Sequence, residues 1–431
     1  MFWNPSVERM PQKELKEIQE RKLRTLVSNA YEYSPFYKKK FKELGIHPSD
    51  IKSLEDISKL PFTRKRDLRD NYPFGMFAVP LSQIVRFHAS SGTTGKPTLV
   101  GYTANDIRVW VESLCRGLVS CGVTNEDIIQ IAYGYGLFTG GLGFHYAAER
   151  IGATALPISA GNTARQIELM KDLNVTVIAC TPSYMLYMAE FAEKMGISIR
   201  ETKLRMGIFG AEPWSEETRK RIEDKTGITA YDVYGTSELS GPLFTECVER
   251  DGLHIWADHF LIEAIDPESG ENIGEGEKGE LVVTTLSKEA MPLIRWRTGD
   301  ITIIETEKCN CGRTHPRIMR ILGRSDDMLI VRGVNVFPSQ VEHVLMQIPE
   351  LGEHYMIILE RVENLDEMTI QVELNEKVSI EKPADILNLK KKVEDRLKSV
   401  LGIYAKVEIV NPGTLQRFEG KAKRVIDKRK I

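Results

Sequence analysis

The residues with the clearest chemical potential form one loop, from His88 to Thr98, that is rich in hydroxyl groups and glycine. Gly92 and Gly95 permit positive φ angles and leave backbone N–H groups uncovered, the hydroxyls add donors, and Lys96 adds a positive charge. This composition predicts a cradle for a polyphosphate. The loop differs from the P-loop of NTPases, which needs Gly at position 90 and Ser or Thr at position 97, where this chain has Ser and Pro. The alternative is a flexible surface loop.

The elements that must position this loop alternate between strands and helices. Strands are predicted at 84–87 and 99–102 around the loop, which would then hang from a sheet edge. Further strands are predicted at 128–132, 153–158, 175–180, 204–210 and 228–233, with helices at 104–121, 145–151, 163–173, 183–195 and after Ser215. This alternation indicates an α/β fold with a doubly wound, mostly parallel sheet.

Ligands of such sheets bind at the carboxyl ends of the strands. Three loops follow predicted strand ends, at 133–143, 210–213 and 234–238. The first combines aromatic side chains with bare glycine backbone, which predicts the wall of a pocket for a flat molecule. Its candidate substrate-binding residues are Tyr135, Gly136, Phe138, Gly140 and Gly141. The alternative is an ordinary hydrophobic turn between a strand and a helix.

Five motifs in a fixed order resemble those of the adenylate-forming enzymes, which include acyl-CoA synthetases, peptide-synthetase adenylation domains and luciferases. The motifs are SSGTTGKPT at 90–98, YGTSE at 234–238, RTGD at 297–300, GRSDD at 323–327 and GKAKR at 420–424. Within that superfamily, the sequences LPFT at 60–63, YPFG at 72–75 and YGYGLFTGGLG at 133–143 are similar to those of the phenylacetate-CoA ligase branch.

This resemblance implies a binding site for ATP and Mg²⁺. Lys96 and the loop before it would hold the β- and γ-phosphates, Thr236 would contact the α-phosphate, and Glu238 would bind Mg²⁺ as a hard carboxylate ligand. Asp300 and Arg324 would contact the ribose, and the turn at 210–213 and residues 232–234 would flank adenine. The nucleotide residues that the resemblance implies are Ser90, Ser91, Gly92, Thr93, Thr94, Gly95, Lys96, Gly210, Ala211, Glu212, Pro213, Asp232, Tyr234, Gly235, Asp300 and Arg324.

The resemblance also implies two domains, residues 1–325 for adenylation and residues 326–431 as a small mobile α+β lid that rotates about Asp326. Lys421 would stabilise charge during adenylate formation, and Arg332 and Gly333 would line the coenzyme A tunnel after rotation. The residue pattern of the second domain predicts a hairpin at 328–337, helices from Pro338 and at 384–401, and strands at 354–359, 369–373 and 406–410. The tail at 421–430 is strongly basic, and the alternative to a functional segment there is a solvated charge run.

A separate group of residues has the chemistry of a structural zinc site. Cys247 and His254 flank a predicted turn, and Cys309 and Cys311 form a tight knuckle that ends in glycine. Three thiols and one imidazole suit tetrahedral Zn²⁺, although the fold must bring the two halves together. The alternatives are reduced cysteines without a metal, or His315 as the fourth ligand, although its neighbours Arg313 and Pro316 suggest a turn.

Composition narrows the class of protein. The net charge of −3 over 431 residues argues against a nucleic-acid binder, and no apolar run reaches the length of a membrane span. The start of the chain, MFWNP, lacks the features of a signal peptide, so we expect a cytoplasmic protein whose six cysteines are reduced. The resemblance suggests a homodimer, which nothing in the composition indicates.

The predicted function is an AMP-forming aryl-acid CoA ligase of the phenylacetate type, with ATP, Mg²⁺ and coenzyme A as reactants or cofactors. Alternatives of the same class act on indoleacetate, benzoate-like or other aryl acids, or load a carrier protein. An alternative of another class is a catalytically silent, zinc-stabilised nucleotide-binding module. The presence of both Glu238 and Lys421 argues against silence.

Overall fold

A twelve-stranded mixed sheet dominates the computed structural model of the chain, which describes residues 1–90, 98–325, 329–332, 334–362, 365–376, 378, 383–418 and 421–429. The α-helices are α1 Pro5–Glu8, α2 Gln12–Tyr33, α3 Pro35–Leu44, α4 Lys65–Asp70, α5 Ala104–Ser120, α6 Gly140–Ile151, α7 Thr163–Asp172, α8 Pro182–Lys194, α9 Glu216–Thr226, α10 Pro338–Met346 and α11 Pro383–Leu401. Short 3₁₀ turns lie at Pro48–Asp50, Leu54–Lys59, Leu81–Gln83 and Ile199–Glu201.

The strands up to the end of the large sheet are β1 Arg86–Ser90, β2 Thr98–Tyr102, β3 Ile128–Ile131, β4 Thr154–Leu156, β5 Val177–Cys180, β6 Met206–Gly210, β7 Thr229–Tyr234, β8 Phe244–Thr245, β9 Leu253–His254, β10 Phe260–Ile265, β11 Lys278–Thr285, β12 Trp296–Glu305, β13 Arg317–Ile318 and β14 Gly323–Arg324. The later strands are β15 Leu329–Val331, β16 Val334–Val336, β17 Leu351–Val362, β18 Leu365–Leu374, β19 Lys406–Val410 and β20 Val425–Asp427. We call the body around the large sheet the large unit and the body that begins at β15 the small unit.

The parallel half of the large sheet is the doubly wound α/β part of the fold. Strands β4, β3, β5, β6 and β7 lie side by side in that order and are parallel, as the sequence predicts. Antiparallel strands β8 to β14 extend the sheet beyond β7. Strands β5 and β6 are buried along their whole length, which fits a sheet with helices on both faces.

The hairpin of β1 and β2 is a separate two-stranded sheet, and the hydroxyl-rich loop connects its two strands. Its strands start two residues later and one residue earlier than predicted. The predicted signature segment LPFT at 60–63 packs against the start of β12. Thr63 pairs with Trp296 of β12, and its hydroxyl donates to the carbonyl of Ile294 at 2.7 Å.

The small unit is an α+β body with its own core. Strands β17 and β18 are antiparallel, and β19 and β20 flank them in parallel. Helices α10 and α11 cover this sheet through a separate apolar cluster that includes Val341, Leu345 and Val393. The basic tail is more than a solvated charge run, because Val425–Asp427 forms strand β20 on the edge of β17. None of the described helices combines the length and the apolar character that a membrane span needs.

Candidate active site

The carboxyl ends of β6 and β7 bring two predicted loops together. The two strands pair in parallel register up to Gly210 opposite Val233, so the turn at 211–213 lies beside the turn at 235–238. A Cβ at Gly210 would lie 2.1 Å from the Val233 carbonyl oxygen, so only glycine permits this approach. Downstream, Ser215 caps helix α9 by accepting the N–H of Thr218 at 3.1 Å, as predicted.

A carboxylate clamp marks the edge of this site. One oxygen of Asp300 accepts the Tyr234 hydroxyl at 2.6 Å, and the other accepts an Arg324 guanidinium N–H at 2.7 Å. Burial, and then the Asp300 charge, raise the pKa of Tyr234 well above 10.0, which keeps its hydroxyl protonated as a donor. The structure therefore brings together three residues that lie 66 and 24 positions apart in the sequence and that we predict to contact a nucleotide.

The turn after β7 is closely packed. A Cβ at Gly235 would lie 2.6 Å from the Cα of Gly241, where the chain crosses back under the turn. The hydroxyl of Thr236 is buried and has no hydrogen-bond partner among the described residues, which leaves it available to a ligand. Glu238 is buried as well, two residues farther along the turn.

Sequence reasoning missed Lys288, which supports this turn from below. Its ammonium donates to the backbone carbonyl of Glu238 at 2.6 Å and lies 4.8 Å from the ring centre of Tyr102. Burial lowers the pKa of Lys288 to about 8, although Asp106 and Glu238 oppose the shift. No sequence motif identifies this lysine. Its supporting role follows from its burial and from its contacts with Glu238 and Tyr102, which lie far from it in the sequence.

Asp232, predicted beside adenine, has its carboxylate in a packed network. It accepts the indole N–H of Trp214 at 3.0 Å, and its own backbone N–H donates to Glu246 at 2.7 Å. Glu246 in turn pairs with both terminal nitrogens of Arg219. The structure thus shows Asp232 as a support for the start of helix α9, and a contact with adenine stays a prediction.

The predicted pocket wall joins β3 to helix α6 and is tied to the β1–β2 hairpin. The Leu137 carbonyl accepts the N–H of Ala89 at 2.9 Å and lies 3.0 Å from Nδ1 of His88. Burial lowers the pKa of His88, so we assign the neutral ring, with Nδ1–H as the donor. This connection places the aromatic loop directly beside the strand that leads into the hydroxyl-rich loop.

Within this wall, the Tyr135 hydroxyl lies 3.4 Å from Nδ1 of His145, and Gly136 has a φ of 106°. Phe138 is 44% exposed, so part of the wall faces open space. Helix α6 begins five residues earlier than predicted, at Gly140. A Cβ at Gly141 would lie 2.8 Å from the Gly134 carbonyl oxygen, so this glycine lets the helix start against the loop.

The remaining predicted site residues lie in or beside the small unit. Lys421 is exposed, and its neighbour Ala422 donates its N–H to Glu212 at 2.9 Å. Arg332, with a φ of 52°, donates to the Asp366 carbonyl at 2.8 Å within the small unit. Residues 91–96, which include Lys96, together with Asp326, Gly333, Gly420 and the side chain of Ser90, lie outside the described residues.

The two units meet along helices α9 and α10. Each helix contributes a side chain that hydrogen-bonds to groups at one terminus of the other. Glu342 of α10 accepts the Ser215 N–H at 3.2 Å and the Thr218 hydroxyl at 2.7 Å, at the start of α9. Arg221 of α9 donates to the Met346 carbonyl at 2.8 Å, at the end of α10. Negative charge thus meets one helix start and positive charge the other helix end, which is the favourable arrangement for both dipoles.

A group of charged residues, which we call the interunit cluster, spans the same boundary. It consists of Glu190 and Lys225 from the large unit and Glu353 and His354 from the small unit. The Lys225 ammonium lies 2.9 Å from Glu353 and 3.6 Å from Glu190, and Nε2 of His354 lies 3.2 Å from Glu190. Burial raises the pKa of Glu190, but the hydrogen bond with His354 and the nearby Lys225 ammonium outweigh it and hold the pKa at about 2.

The fold brings together all four predicted zinc ligands, which we call the thiol cluster: Cys247, His254, Cys309 and Cys311. Their ligand atoms lie within 4.8 Å of one another. The sulfurs of Cys247 and Cys309 are 3.8 Å apart, and Nε2 of His254 is 3.4 Å from the Cys311 sulfur. A tetrahedron with Zn–S of about 2.3 Å and Zn–N of about 2.0–2.1 Å has edges of about 3.8 and 3.6 Å, so the donor set and its spacing fit zinc.

Surrounding residues fix this cluster in place. Arg313 directs one N–H at the Cys311 sulfur at 3.5 Å and another at the buried carboxylate of Glu8 at 2.8 Å. A hydrogen bond from Cys247, then one from His254, lowers the pKa of Cys311 to about 2, whereas that contact raises the pKa of Cys247. His315 is outside the cluster: its Nδ1 accepts the Ala257 N–H at 3.0 Å, and its Nε2 lies 2.9 Å from the Val7 carbonyl.

Comparison with known proteins gives two matches to family models. Residues 65–287 match the AMP-binding enzyme family, and residues 333–429 match the AMP-binding enzyme C-terminal domain. The chain is 47% identical to phenylacetate-coenzyme A ligase of Thermus thermophilus, over all of both chains. It is 48% identical to the phenylacetate-coenzyme A ligase of Escherichia coli, over 97% of this chain and 96% of that one.

Solved structures give the same result and distinguish two domain arrangements. A 2-hydroxyisobutyryl-CoA ligase in the postadenylation state, in complex with R3-HIB-AMP, aligns with a TM-score of 0.93 at 32% identity, over 99% of this chain and 92% of that one. The same ligase in the thioesterification state aligns with a TM-score of only 0.74 over the same shares of both chains, at 33% identity. The two units of the present chain are therefore arranged as in the postadenylation state of that ligase. The chain belongs to the AMP-binding enzyme family and, within it, to the phenylacetate-CoA ligases.

Proposed function

We propose that this protein activates phenylacetate, or a closely similar arylacetic acid, in two half-reactions. First, a carboxylate oxygen attacks the α-phosphorus of ATP, a phosphorus–oxygen bond breaks, and pyrophosphate leaves to give the acyl-adenylate. Second, the thiol of coenzyme A attacks the acyl carbon and displaces AMP. The observation that supports this proposal most strongly is the meeting of the Tyr234–Asp300–Arg324 clamp with the Lys421 segment at the ends of β6 and β7.

The nucleotide would lie across those strand ends. The carboxylate of Asp300 would accept the ribose hydroxyls, and Arg324 lies beside it. The buried hydroxyl of Thr236 is a donor for the α-phosphate. The buried carboxylate of Glu238 offers the hard oxygen ligand that Mg²⁺ prefers, and the cation would offset phosphate charge. Ser90 to Lys96 would hold the β- and γ-phosphates.

The acid would lie against the loop between β3 and α6. This segment supplies the aromatic side chains of Tyr135 and Phe138 and the bare backbone of Gly136. A flat ring suits such a wall better than an acyl chain does, because ring and backbone can approach closely over a broad face. Other aryl acids, such as indoleacetate or benzoate-like acids, share this property, and the substrate panel described below separates them.

The small unit would change its position between the half-reactions. We place the division at residues 325 and 326, with Asp326 as the hinge of a domain 1–325 and a domain 326–431. Lys421 would stabilise the charge that develops as the carboxylate attacks phosphorus. After rotation, Arg332 and Gly333 would line the coenzyme A tunnel. Such alternation lets one small unit complete two sites and keeps water away from the reactive adenylate.

Zinc would be held by the thiol cluster in a structural role. Four protein ligands complete a tetrahedron and leave no position for substrate. The cluster joins the β8–β9 turn, the knuckle at 309–312 and, through Arg313, helix α1. A homodimer stays a prediction from the family resemblance. Sedimentation measurements would test it.

A panel of acids tests the proposed function. AMP formation with phenylacetate, indoleacetate, benzoate, acetate and octanoate is measured with and without coenzyme A. We expect phenylacetate to have the highest kcat/KM and AMP release to depend on coenzyme A. Equal turnover of acetate and phenylacetate would contradict the assignment of the acid, and turnover without coenzyme A, on addition of a carrier protein, would favour that alternative acceptor.

The role of Lys421 is tested by separating the half-reactions. Lys421→Ala should slow adenylate formation, followed by pyrophosphate release, by about 10²-fold or more, because it removes a charge that stabilises the transition state. The same variant should convert synthetic phenylacetyl-adenylate and coenzyme A to thioester at nearly the wild-type rate. If both half-reactions slow equally, the rotation mechanism is wrong for this protein.

A further inference from the structure

Glu212 connects the turn after β6 to the segment that carries Lys421. One oxygen of its carboxylate accepts the backbone N–H of Ser183 at 2.9 Å, and the other accepts the backbone N–H of Ala422 at 2.9 Å. Ser183 belongs to the large unit and Ala422 to the small unit. The carboxylate is therefore a bridge between the two units, directly adjacent to the proposed catalytic lysine.

The large-unit end of this bridge is fixed. Ser183 lies in the first turn of helix α8, where Thr181 is the N-cap and accepts the N–H of Tyr184 at 3.3 Å. A carboxylate at this position satisfies an N–H that the helix leaves open and lies in the favourable field of the helix start. Burial raises the pKa of Glu212, while the hydrogen bonds from Ser183 and Ala422 and the charge of Arg424 oppose the shift.

The small-unit end has a complementary charge. The guanidinium of Arg424 lies 4.4 Å from the ring centre of Tyr355 on β17 and is among the groups that lower the pKa of Glu212. Tyr355 is itself buried and donates its hydroxyl to Glu342 at 3.0 Å. The segment 421–424 is thus held by the hydrogen bond from Ala422 to Glu212 and by the packing of Arg424 on Tyr355.

We propose that Glu212 is a positioning residue for adenylate formation, whose bridge from Ser183 to Ala422 holds Lys421 at the nucleotide site. This inference rests on the proposed function and deepens it. It differs from the expectation that Glu212 serves only as part of the adenine-binding turn. Because Ala422 belongs to the unit that rotates, the bridge exists in the arrangement seen here and breaks when the small unit turns.

The two roles for Glu212 predict different kinetics. A contact with adenine is present in ATP and in the acyl-adenylate, so its loss would weaken both half-reactions. A bridge to Ala422 matters only while Lys421 is in place, so its loss slows adenylate formation alone. Removal of a hydrogen bond to a charged group corresponds to a rate loss of about tenfold or more.

The test is a double-mutant cycle on the full-length enzyme with Glu212→Ala and Lys421→Ala, with each half-reaction assayed separately. Glu212→Ala should slow adenylate formation at least about tenfold in the wild-type background, but no more than about twofold in the Lys421→Ala background. Thioester formation from synthetic phenylacetyl-adenylate should stay within about twofold of wild type, which also shows that the variant is folded. Glu212→Gln, which keeps one acceptor oxygen, should fall between Glu212→Ala and wild type.

Glu168→Ala, an exposed glutamate on α7, is the matched control and should leave both half-reactions unchanged. Equal losses in both half-reactions, or full additivity with Lys421→Ala, would overturn the positioning role. A Glu212→Ala enzyme as fast as wild type in adenylate formation would overturn it as well. These outcomes leave the proposed function intact, whereas a wild-type enzyme that forms no adenylate with any acid overturns both.

Discussion

The thiol cluster and the interunit cluster both bring together four residues that can bind protons or metals, yet they are built in opposite ways. The thiol cluster lies within the large unit, and the separations between its sulfurs and imidazole fit the edges of a zinc tetrahedron. In the interunit cluster, Lys225 already lies between Glu190 and Glu353 and supplies the cation. The first arrangement suits a permanent support, and the second suits a contact that the molecule must break.

In the proposed mechanism, the small unit changes position while the large unit keeps its geometry, so the bonds within the large unit can be stronger than those between the units. In the proposed zinc site, metal–thiolate bonds would fix part of the large unit, which carries the nucleotide site and must keep its geometry through both half-reactions. Salt bridges with partial solvent access hold the small unit, and such pairs contribute modestly because desolvation offsets much of their attraction. A metal site across the same boundary would hold the small unit in one position.

Removing a thiol ligand should have the largest effect on stability. Cys309→Ser would leave the proposed zinc without a complete ligand set, and loss of a structural metal costs roughly 4 kcal/mol, or about 6 °C in melting temperature for a unit of this size. Both half-reactions, measured well below the melting transition, should retain their wild-type ratio. Differential scanning calorimetry and elemental analysis check the two parts.

The matched control is Cys115→Ser, which changes a buried thiol far from the cluster in sequence and outside its ligand set. It should keep about one zinc per chain and lose less stability than Cys309→Ser. Less than one metal per chain in the purified wild-type protein would contradict the zinc assignment. A selective loss of one half-reaction in Cys309→Ser would contradict its purely structural role.

Removing the Lys225 ammonium from the interunit cluster should change the relative rates of the two half-reactions. Lys225→Met leaves the carboxylates of Glu190 and Glu353 facing each other without the ammonium between them. Adenylate formation should slow roughly fivefold to tenfold, because the small unit spends less time in the arrangement seen here, an effect of about 1 kcal/mol. Thioester formation from synthetic adenylate should be as fast as in wild type or faster.

Lys194→Met supplies the control for this change. Lys194 also crosses the boundary, at 3.0 Å from Glu376, but both side chains are about half exposed. Exposed pairs contribute little, so this variant should match wild type in both half-reactions. Equal effects of the two lysine variants would show that general charge across the boundary, rather than the interunit cluster, holds the small unit.

Acidification should reduce the contribution of Glu190 to the free energy of unfolding. This is the smallest of the predicted effects. The pKa of Glu190 is about 2, below its ordinary 4.5, so its favourable interactions are complete above pH 4.5 and are lost as the pH falls toward 2. The free energy of unfolding of wild type minus that of Glu190→Gln should be constant from about pH 7 to pH 5 and should shrink toward pH 3. Urea titrations at these pH values measure it, and a difference that grows on acidification would contradict the ion-pair interpretation.

Much of the fold follows from local sequence patterns, and the exceptions have physical causes. The strand of 406–410 and the helix that begins at Pro338 match the prediction, because apolar spacing and a proline at the helix start are local signals. The start of α6 at Gly140 is not predictable in this way, because glycine has a poor helix propensity and packing against the 133–135 loop overrides it. Strand β20 was missed because its three residues pair only with distant β17.

The candidate site shows the same division. Motifs identify Tyr234, Asp300 and Arg324, and the structure joins them in one clamp. Lys288 and the bridge from Glu212 to Ala422 carry no motif that explains them, because a buried amine and a hydrogen bond across 210 positions depend on the tertiary fold. The residue types of the four proposed zinc ligands can be identified from the sequence. That His254 rather than His315 belongs to the cluster depends on the pairing of β9 with β13.

Helix α9 has a consequence for how nucleotide binding and the position of the small unit influence each other. The helix follows directly on the turn at 211–213, and its start and its Arg221 side chain hold α10. By thermodynamic reciprocity, if docking of the small unit improves the affinity of that turn for ATP by some factor, ATP must favour docking by the same factor. A titration of ATP binding in variants of Glu342 or Arg221 would therefore measure the energy of a domain movement without observing the movement itself.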